Sequence, residues 1–219
     1  MSDQPFYDFP VDIANPSNAH GIQLRMLKDE GKRVLDVGCH SGLMGSMVKD
    51  QLKAEVVGVD FDPLALNVAR ARLDRVYEVD LEFGGWASEL LEKGEGNFDV
   101  ALFGDVLEHT TDPESILRET LKLLKPQGKV IVSLPNVANL RVRLGLLRGN
   151  FTYAESGIID RTHLRFFTLQ SAHELLERSG YELEDSDVAG YSLPHWLIRM
   201  FPGLLAVQIV MRGRARYHR

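Results

Sequence analysis

The stretch RVLDVGCHSG, residues 33–42, decides the fold of this chain. It begins as an apolar, β-branched run and ends in a turn that carries two glycines, Gly38 and Gly42, before a helical pattern follows. Glycine lets the backbone adopt left-handed angles and approach a ligand closely. In open α/β sheets, ligands bind at the carboxyl ends of the strands, where such turns lie. The stretch therefore predicts a strand, a ligand-facing turn and a helix.

Apolar runs separated by helical segments recur along the rest of the chain. They predict strands at 33–37, 54–59, 75–79, 98–103, 129–134, 181–190 and 204–211. The predicted helices lie at 112–125, 136–149, 168–179 and 195–200. Strands that alternate with helices favour a parallel sheet covered on both faces. We therefore expect an α/β fold: a doubly wound, Rossmann-like, seven-stranded and mostly parallel sheet with helices on both faces.

The length and composition of the chain favour one domain. With 219 residues, of which 44% are hydrophobic, the chain can close one sizeable core. We expect a single domain over residues 1–219, with a cofactor-binding core at 30–135, a substrate lid at 136–180 and C-terminal strands at 181–219. The formal net charge of −6 argues against a nucleic-acid partner, because such binding depends on clustered Lys and Arg.

The compartment is predicted from what the sequence does not contain. Its one cysteine, Cys39, excludes an internal disulfide and fits a reducing environment. The first residues lack the basic and apolar runs of a signal peptide, and no segment approaches the ~20 apolar residues that span a bilayer. We therefore expect a cytoplasmic protein without a membrane span.

Acidic residues follow the next predicted strands. Asp60 ends the second strand, where a carboxylate can accept hydrogen bonds from the two hydroxyls of a ribose. Asp80 follows the third strand and could accept from an adenine amino group, while Leu81 and Phe61 press on the ring faces. A nicotinamide or flavin dehydrogenase needs the spacing G-x-G-x-x-G, which residues 38–42 lack. Glycines and aspartates that merely form sharp turns are the other interpretation.

Three motifs together resemble class I S-adenosylmethionine-dependent methyltransferases, over about residues 30–135. They are DVGCHSG at 36–42, the acidic end of the second strand, and FGDVLEH at 103–109. The resemblance implies that the methionine portion of the cofactor lies against the first motif, the ribose against the second-strand carboxylate, and the sulfonium under the third motif. The residues it assigns to the cofactor are Asp36, Gly38, Gly42, Asp60, Phe61, Asp80, Leu81, Gly104 and Asp105.

One departure from the family concerns the first turn. Members often have a third glycine where His40 or Ser41 stands here. A residue with a Cβ is strained at the left-handed angles that glycine adopts freely. Backbone strain or weaker cofactor binding is therefore expected at this turn.

A second group of ionisable residues follows the fourth predicted strand. Asp105, Glu108 and His109 have the spacing D-x-x-E-H, and His163 comes from an irregular stretch expected above the same sheet edge. Carboxylates with one imidazole suit Mg²⁺ or Mn²⁺. The arrangement resembles that of the ubiquinone-pathway O-methyltransferases and the small-RNA 2′-O-methyltransferases, with Asp105 in place of a glutamate. The resemblance implies a divalent metal held by Asp105, Glu108, His109 and His163.

The same residues also have an interpretation without metal. In class I methyltransferases that use no metal, a glutamate or histidine at this place caps a helix or holds a loop. His109 or His163 would then serve as general base for an acceptor hydroxyl, because imidazole titrates near neutral pH. Glu108, His109 and His163 are the predicted catalytic residues.

The segment after residue 135 carries the predicted acceptor site. PNVANLR at 135–141 and GIIDRTHLRFFT at 157–168 resemble bacterial methyltransferases of polysaccharide and other glycan pathways. Four arginines in this segment could hold a phosphate or carboxylate of an anionic acceptor, or could form surface ion pairs instead. They are Arg141, Arg143, Arg161 and Arg165.

Three functions are compatible with these motifs. We predict O-methylation of a small-molecule or glycan-linked hydroxyl, with nitrogen as the alternative acceptor atom. A metal-dependent O-methyltransferase of a quinone precursor or an RNA end is the second hypothesis, and it predicts turnover that a chelator inhibits. A regulator that binds S-adenosylmethionine without turnover is the third, and it predicts binding without loss of the methyl group.

Overall fold

A computed structural model of the protein describes residues 15–28, 31–190 and 193–216. In these ranges the strands are β1 (Arg33–Val37), β2 (Glu55–Asp60), β3 (Arg75–Glu78), β4 (Phe98–Gly104), β5 (Leu124–Pro135), β6 (Tyr181–Ala189) and β7 (Gln208–Ala215). The helices are α1 (Ala19–Leu27), α2 (Leu43–Leu52), α3 (Pro63–Ala69), α4 (Trp86–Glu92), α5 (Pro113–Thr120), α6 (Leu140–Leu147), α7 (Leu169–Arg178), α8 (His195–Met200) and α9 (Pro202–Leu205). A 3₁₀ turn occupies Leu107–His109. The predicted domain ends, residues 1 and 219, lie outside the described residues.

The strands form one sheet in the order β3-β2-β1-β4-β5-β7-β6. The five strands from β3 to β5 run parallel to one another, whereas β7 pairs antiparallel with both β5 and β6. Parallel neighbours need crossover connections, and the helices α2 to α5 supply them. The predicted seven-stranded, mostly parallel sheet is confirmed.

Alternate residues along each strand pack on opposite faces of this sheet. Leu35 and Val37 of β1 lie in one buried cluster, together with side chains from α4, α5 and α7. Val34 lies in a second buried cluster, with side chains from α1, α2 and α3. Both faces are therefore covered by helices, as predicted. Because helices cover both faces, a ligand can reach polar groups of the sheet only at the edge where the parallel strands end.

The turn after β1 depends on its glycines. Gly38 and Gly42 both have positive φ angles, +69° and +75°. A Cβ on Gly38 would lie 2.5 Å from Cγ2 of Val106, so no side chain fits at this position. His40 also has a positive φ, +45°, and this is the backbone strain expected where the third glycine is missing. The turn is therefore tight, and it packs directly against the chain that leaves β4.

Two predicted boundaries around α5 and the last strand are wrong. The helix α5 ends at Thr120 rather than at residue 125, because Leu123 and Leu124 are buried beneath it and Leu124 already pairs in β5. The last strand begins at Gln208 rather than at residue 204, because the preceding residues form α9. In both places a buried leucine run was compatible with either kind of element.

The helix predicted at 136–149 is shorter than expected. Asn136 bridges to Phe167, and its side-chain amide donates to the Ala206 carbonyl at 3.0 Å, so this residue is part of the sheet edge. Asn139 then caps α6 by accepting from the Arg141 amide. Within the described residues, no helix has the length and apolar character needed to cross a lipid bilayer.

Candidate functional site at the carboxyl edge of the sheet

The ends of β1, β2 and β4 meet at one edge of the sheet. Val37 lies opposite Val59 of β2 and Phe103 of β4, so the residues that follow these strands come together. Asp60 joins two of the turns, because its carboxylate accepts the His40 amide at 2.8 Å and the Asp62 amide at 2.9 Å. The predicted ribose ligand therefore holds the glycine turn and the start of α3 in fixed positions.

The predicted adenine residues lie farther along the same edge. Phe61 exposes 73% of its side chain directly after Asp60, which leaves an aromatic face available for a planar ring. Asp80 is exposed, and one of its oxygens accepts the Glu82 amide at 2.9 Å. Leu81 is half-buried against the core. An apolar surface with a carboxylate at its border is the chemistry that an adenosine requires.

Asp36 lies behind the turn rather than on an open surface. Its side chain is 3% exposed and faces Gly45 of α2, where an added Cβ would lie 2.8 Å from Oδ2. Burial raises the pKa of Asp36 to about 7, the Gly45 amide opposes this, and the Asp60 carboxylate adds to it. The predicted methionine-site carboxylate is therefore in a place where ionisation costs free energy.

Replacing Asp36 with asparagine should remove a pH dependence of stability. The folded protein keeps the Asp36 proton up to about pH 7, whereas the unfolded chain loses it near 3.8, so the wild-type free energy of unfolding should fall as the pH rises through this range. When the pH rises from about 5 to about 8, the free energy of unfolding of Asp36→Asn should increase by roughly 2 to 3 kcal/mol relative to that of wild type. Urea unfolding at both pH values measures this difference. If the free energies of unfolding of Asp36→Asn and wild type differed by the same amount at both pH values, the raised pKa of Asp36 would be contradicted.

Asp105 follows β4 in a strained backbone conformation, with φ of +56°. Its Oδ1 accepts a hydrogen bond from the Ser133 hydroxyl at 2.7 Å, and its Oδ2 accepts one from the side-chain amide of Gln208 at 2.7 Å. Ser133 comes from β5, where it lies opposite Gly104, and Gln208 is the first residue of β7. The carboxylate of Asp105 is thus held by the neighbouring strands, beside the half-buried Gly104 that was predicted to close over the sulfonium.

Glu108 is a buried carboxyl group without an external partner. It is 1% exposed, and among the described residues neither carboxylate oxygen has a hydrogen bond to any residue other than Glu108 itself. Burial, and then the Asp105 carboxylate, hold the pKa of Glu108 well above its usual range. Its main-chain oxygen accepts the amides of Leu164 and Arg165 at 2.8 and 3.0 Å. These two bonds bring the irregular segment after α6 onto the end of β4.

His163 and His109 lie next to Glu108, with ring centroids 4.8 Å apart and planes 70° apart. Nδ1 of His163 is 3.2 Å from the Ile158 carbonyl, and Nδ1 of His109 is 3.3 Å from the Thr162 carbonyl. Because a carbonyl only accepts, these contacts favour the tautomer in which Nδ1 donates, and in the neutral ring Nε2 then has the lone pair. Burial lowers the pKa of His163, and the charge of the neighbouring His109 lowers it further. Both rings therefore offer a basic nitrogen beside the Glu108 carboxyl.

One carboxylate oxygen and two imidazole nitrogens from Glu108, His109 and His163 lie within 4.8 Å of one another. They line a cavity of about 160 Å³ that Asp105 also borders. Three of the four predicted metal ligands are thus gathered, whereas the carboxylate of Asp105 is committed to other partners. A set of two imidazoles and one carboxylate suits Mn²⁺ and other transition ions better than Mg²⁺, which prefers oxygen ligands.

Sequence reasoning missed the residues that position these groups. Ser133 and Gln208 hold Asp105, and Thr162 contacts Nδ1 of His109 through its hydroxyl at 3.1 Å. Ser133 could have been noticed in the sequence, because it is the one polar residue in the apolar run VIVSL at 130–134. No sequence pattern points to Gln208, because its place depends on the pairing of β7.

Comparison with known proteins gives the chain a family and relatives. A family model described as a methyltransferase domain matches residues 15–186. The ubiquinone biosynthesis O-methyltransferase of Xanthomonas axonopodis pv. citri is 35% identical over 128 residues, which are 58% of this chain and 52% of that protein. A probable S-adenosylmethionine-dependent methyltransferase of Mycolicibacterium smegmatis is 30% identical over 156 residues, which are 71% of this chain and 54% of that protein. The chain spans about half the length of these curated relatives.

The fold is shared with solved methyltransferases. The 1,6-didemethyltoxoflavin-N1-methyltransferase of Burkholderia thailandensis, solved with 1,6-didemethyltoxoflavin and S-adenosylhomocysteine, superposes with a TM-score of 0.60 at 19% identity. The superposition covers 94% of this chain and 82% of that chain. Since the family model matches most of a chain with this sheet and this carboxylate-lined edge, the chain belongs to the S-adenosylmethionine-dependent methyltransferases.

Proposed function

We propose that the protein transfers the methyl group of S-adenosylmethionine to a hydroxyl oxygen of a small-molecule or glycan-linked acceptor. The observation that carries this proposal is the grouping of Glu108, His109 and His163 beside the end of β4. The Glu108 carboxyl is buried there, and no other described residue forms a hydrogen bond with it. A methyl acceptor that arrives as a hydroxyl must lose a proton, and this group can take it. The curated O-methyltransferase relatives support oxygen as the acceptor atom.

The cofactor in this proposal lies along the carboxyl edge of the sheet. Asp60 accepts the ribose hydroxyls through the lone pairs that its two backbone contacts leave free. The adenine ring packs on Phe61 and Leu81 with Asp80 at its border, and the methionine portion crosses the Gly38–Gly42 turn, with Asp36 behind it. Gly104 and Asp105 lie on the sulfonium side. This placement leaves the methyl group facing the cavity of Glu108 and the two histidines.

The transfer is a displacement at carbon. The acceptor oxygen supplies an electron pair to the methyl carbon, and the electrons of the carbon–sulfur bond return to sulfur, which gives S-adenosylhomocysteine. The hydroxyl proton passes to Nε2 of His163 or His109, each of which has a free lone pair. Since the sulfonium is a good leaving group, the protein chiefly aligns the two reactants and excludes water.

A metal-dependent version of this reaction is the second candidate. The donor set of Glu108, His109 and His163 would hold a divalent ion, and of the two predicted ions Mn²⁺ suits it better than Mg²⁺. A cation there would offset the cost of ionising the buried Glu108 carboxyl. When bound, it would supply Lewis-acid polarisation of the acceptor oxygen.

The chain is proposed to work as one domain. Residues 30–135 hold the cofactor, residues 136–180 cover the acceptor, and the strands in 181–219 complete the sheet. The covering segment is tied to the cofactor part by the amides of Leu164 and Arg165 on the Glu108 carbonyl. The strand β7 contributes Gln208 to the Asp105 contact, so all three parts meet at one site.

Methyl transfer should be detected with methyl-labelled S-adenosylmethionine and a panel of catechols, phenols and hydroxylated glycan precursors. We expect label on an acceptor oxygen and an equal amount of S-adenosylhomocysteine, with turnover strongly reduced by His163→Ala. His173→Ala, a histidine on α7 that contacts Ser186, is the matched control and should keep full turnover. Binding of S-adenosylhomocysteine without label transfer to any acceptor would contradict the proposal and favour the regulator hypothesis.

Chelation separates the two candidate mechanisms. If the metal takes part, EDTA should reduce turnover of the wild type by at least about 100-fold, and Mn²⁺ should restore it. Turnover that is unchanged by EDTA would contradict the metal and leave the histidines as the base. The binding of S-adenosylhomocysteine, measured with and without EDTA, shows whether a loss of turnover comes from the cofactor site instead.

A further inference from the structure

A second and larger cavity lies beside the cavity of Glu108 and the histidines. It has a volume of about 540 Å³ and is bounded by α6, residues 152–159, α8 and α9. The two cavities share Ile158 and Val207 in their walls. A volume of this size is in the range that holds small organic ligands. The two cavities are therefore neighbours in the structure.

The walls of the larger cavity are mostly apolar. Val142, Ile159, Ile198 and Leu204 contribute aliphatic side chains. Among the polar wall residues, Asn139 is already satisfied, because its side-chain amide donates to the Ala206 carbonyl at 2.9 Å. On the rim, Leu140 and Leu193 remain exposed, so the cavity is open to solvent. An occupant with an apolar body would cover these side chains and gain free energy from their burial.

Among the residues that the structure describes, Arg141 is the charged side chain that lines this cavity. Arg141 is exposed, and among the described residues its guanidinium has no hydrogen bond or ion pair. The other arginines predicted to bind an anion are committed elsewhere. Arg143 donates to the Ala138 carbonyl, Arg161 pairs with Glu155, and Arg165 donates to the Thr111 carbonyl. The guanidinium of Arg141 is therefore available to an anionic group at the wall of an apolar cavity.

We infer that the methyl acceptor is an anionic amphiphile that spans the two cavities. Its hydroxyl points toward Glu108, His109 and His163, its apolar body fills the larger cavity, and its carboxylate or phosphate pairs with Arg141. This assignment rests on the methyl-transfer function proposed above and narrows its substrate class. A neutral or fully polar sugar would leave both the aliphatic wall and the guanidinium without partners.

The binding experiment uses probes that do not depend on turnover. The first probe is a fatty acid with a hydroxyphenyl group at its far end, the second is its neutral methyl ester, and the third is the phosphate monoester of the matching alcohol. Each is titrated calorimetrically into the full chain saturated with S-adenosylhomocysteine. We expect the acid or the phosphate to bind at least about 10-fold more tightly than the ester, because only an anion can form a charge-assisted hydrogen bond with the guanidinium of Arg141. Comparison of the first and third probes identifies the anion.

Variants test the role of Arg141 directly. Arg141→Gln should weaken the binding of the anionic probes by about 10- to 100-fold and leave the affinity for the ester unchanged. Arg148→Gln is the matched control, since Arg148 follows the same helix, contacts the Leu144 carbonyl and does not line the cavity. Leu204→Gln should weaken all three probes by making the wall polar.

The outcomes distinguish this inference from the function on which it rests. Equal binding of acid, phosphate and ester, or an Arg141→Gln effect no larger than that of Arg148→Gln, would overturn the assignment of an anionic acceptor. Failure of every probe to bind while S-adenosylhomocysteine binds would overturn the amphiphile and leave methyl transfer standing. Failure of S-adenosylhomocysteine to bind would remove the proposed function itself.

Discussion

Replacing Glu108 with glutamine should lower kcat for methyl transfer by roughly 10²- to 10⁴-fold. Glu108 is 1% exposed and lies beside both histidines, and no other residue in the described part of the chain forms a hydrogen bond with its carboxylate. Glutamine has nearly the same shape but cannot carry the negative charge that would stabilise a protonated imidazole or a bound cation. Steady-state turnover at saturating S-adenosylmethionine measures the effect.

Two controls keep the Glu108→Gln result interpretable. Glu155→Gln changes an exposed acid of the segment between α6 and α7, one that pairs with Arg161, and should leave kcat within about two-fold of wild type. The affinity for S-adenosylhomocysteine should be unchanged in Glu108→Gln, because the carboxyl faces the acceptor side. A kcat close to that of wild type would contradict the catalytic assignment. A parallel loss of cofactor affinity would point to a structural role instead.

The second large effect is expected at the cofactor site. Asp60→Asn should raise the Kd for S-adenosylhomocysteine by roughly 10- to 100-fold, because it removes at least one charge-assisted hydrogen bond to the ribose. The same change replaces an acceptor oxygen that holds the His40 or the Asp62 amide, so the glycine turn should also lose order. Isothermal titration calorimetry measures the affinity.

Asp62→Asn is the matched control for Asp60→Asn. Asp62 caps α3 by accepting the Leu64 amide, and asparagine caps helices about as well. Its affinity for S-adenosylhomocysteine should therefore stay near that of wild type. If Asp60→Asn bound as tightly as this control, the assignment of Asp60 to the ribose would be wrong.

The fold could be predicted from the sequence because its strongest signals are local. The run RVLDVGCHSG contains its own strand, turn and helix start, and the positive φ angles of Gly38 and Gly42 are what their lack of a side chain allows. The boundaries near Leu124 and Gln208 failed for a different reason. Leucine-rich segments there fit a helix or a strand equally well, and pairing with distant strands decides between them.

The site was predicted in part for the same reason. Glu108, His109 and His163 were expected together because the end of β4 and the segment above it had to meet, and they do lie together. The direction of the Asp105 carboxylate depends on a left-handed backbone and on Gln208, which is 103 positions away in the sequence. The spacing D-x-x-E-H contains neither fact. It therefore predicts the Asp105 carboxylate as a ligand, although Ser133 and Gln208 hold that carboxylate.

A crystal structure of the protein with S-adenosylhomocysteine tests the account most directly. We expect both ribose hydroxyls within hydrogen-bonding distance of Asp60, the adenine beside Phe61, and the sulfur next to Gly104, facing Glu108, His109 and His163. A sulfur atom that points away from these three residues, or a cofactor bound at another edge of the sheet, would contradict the account.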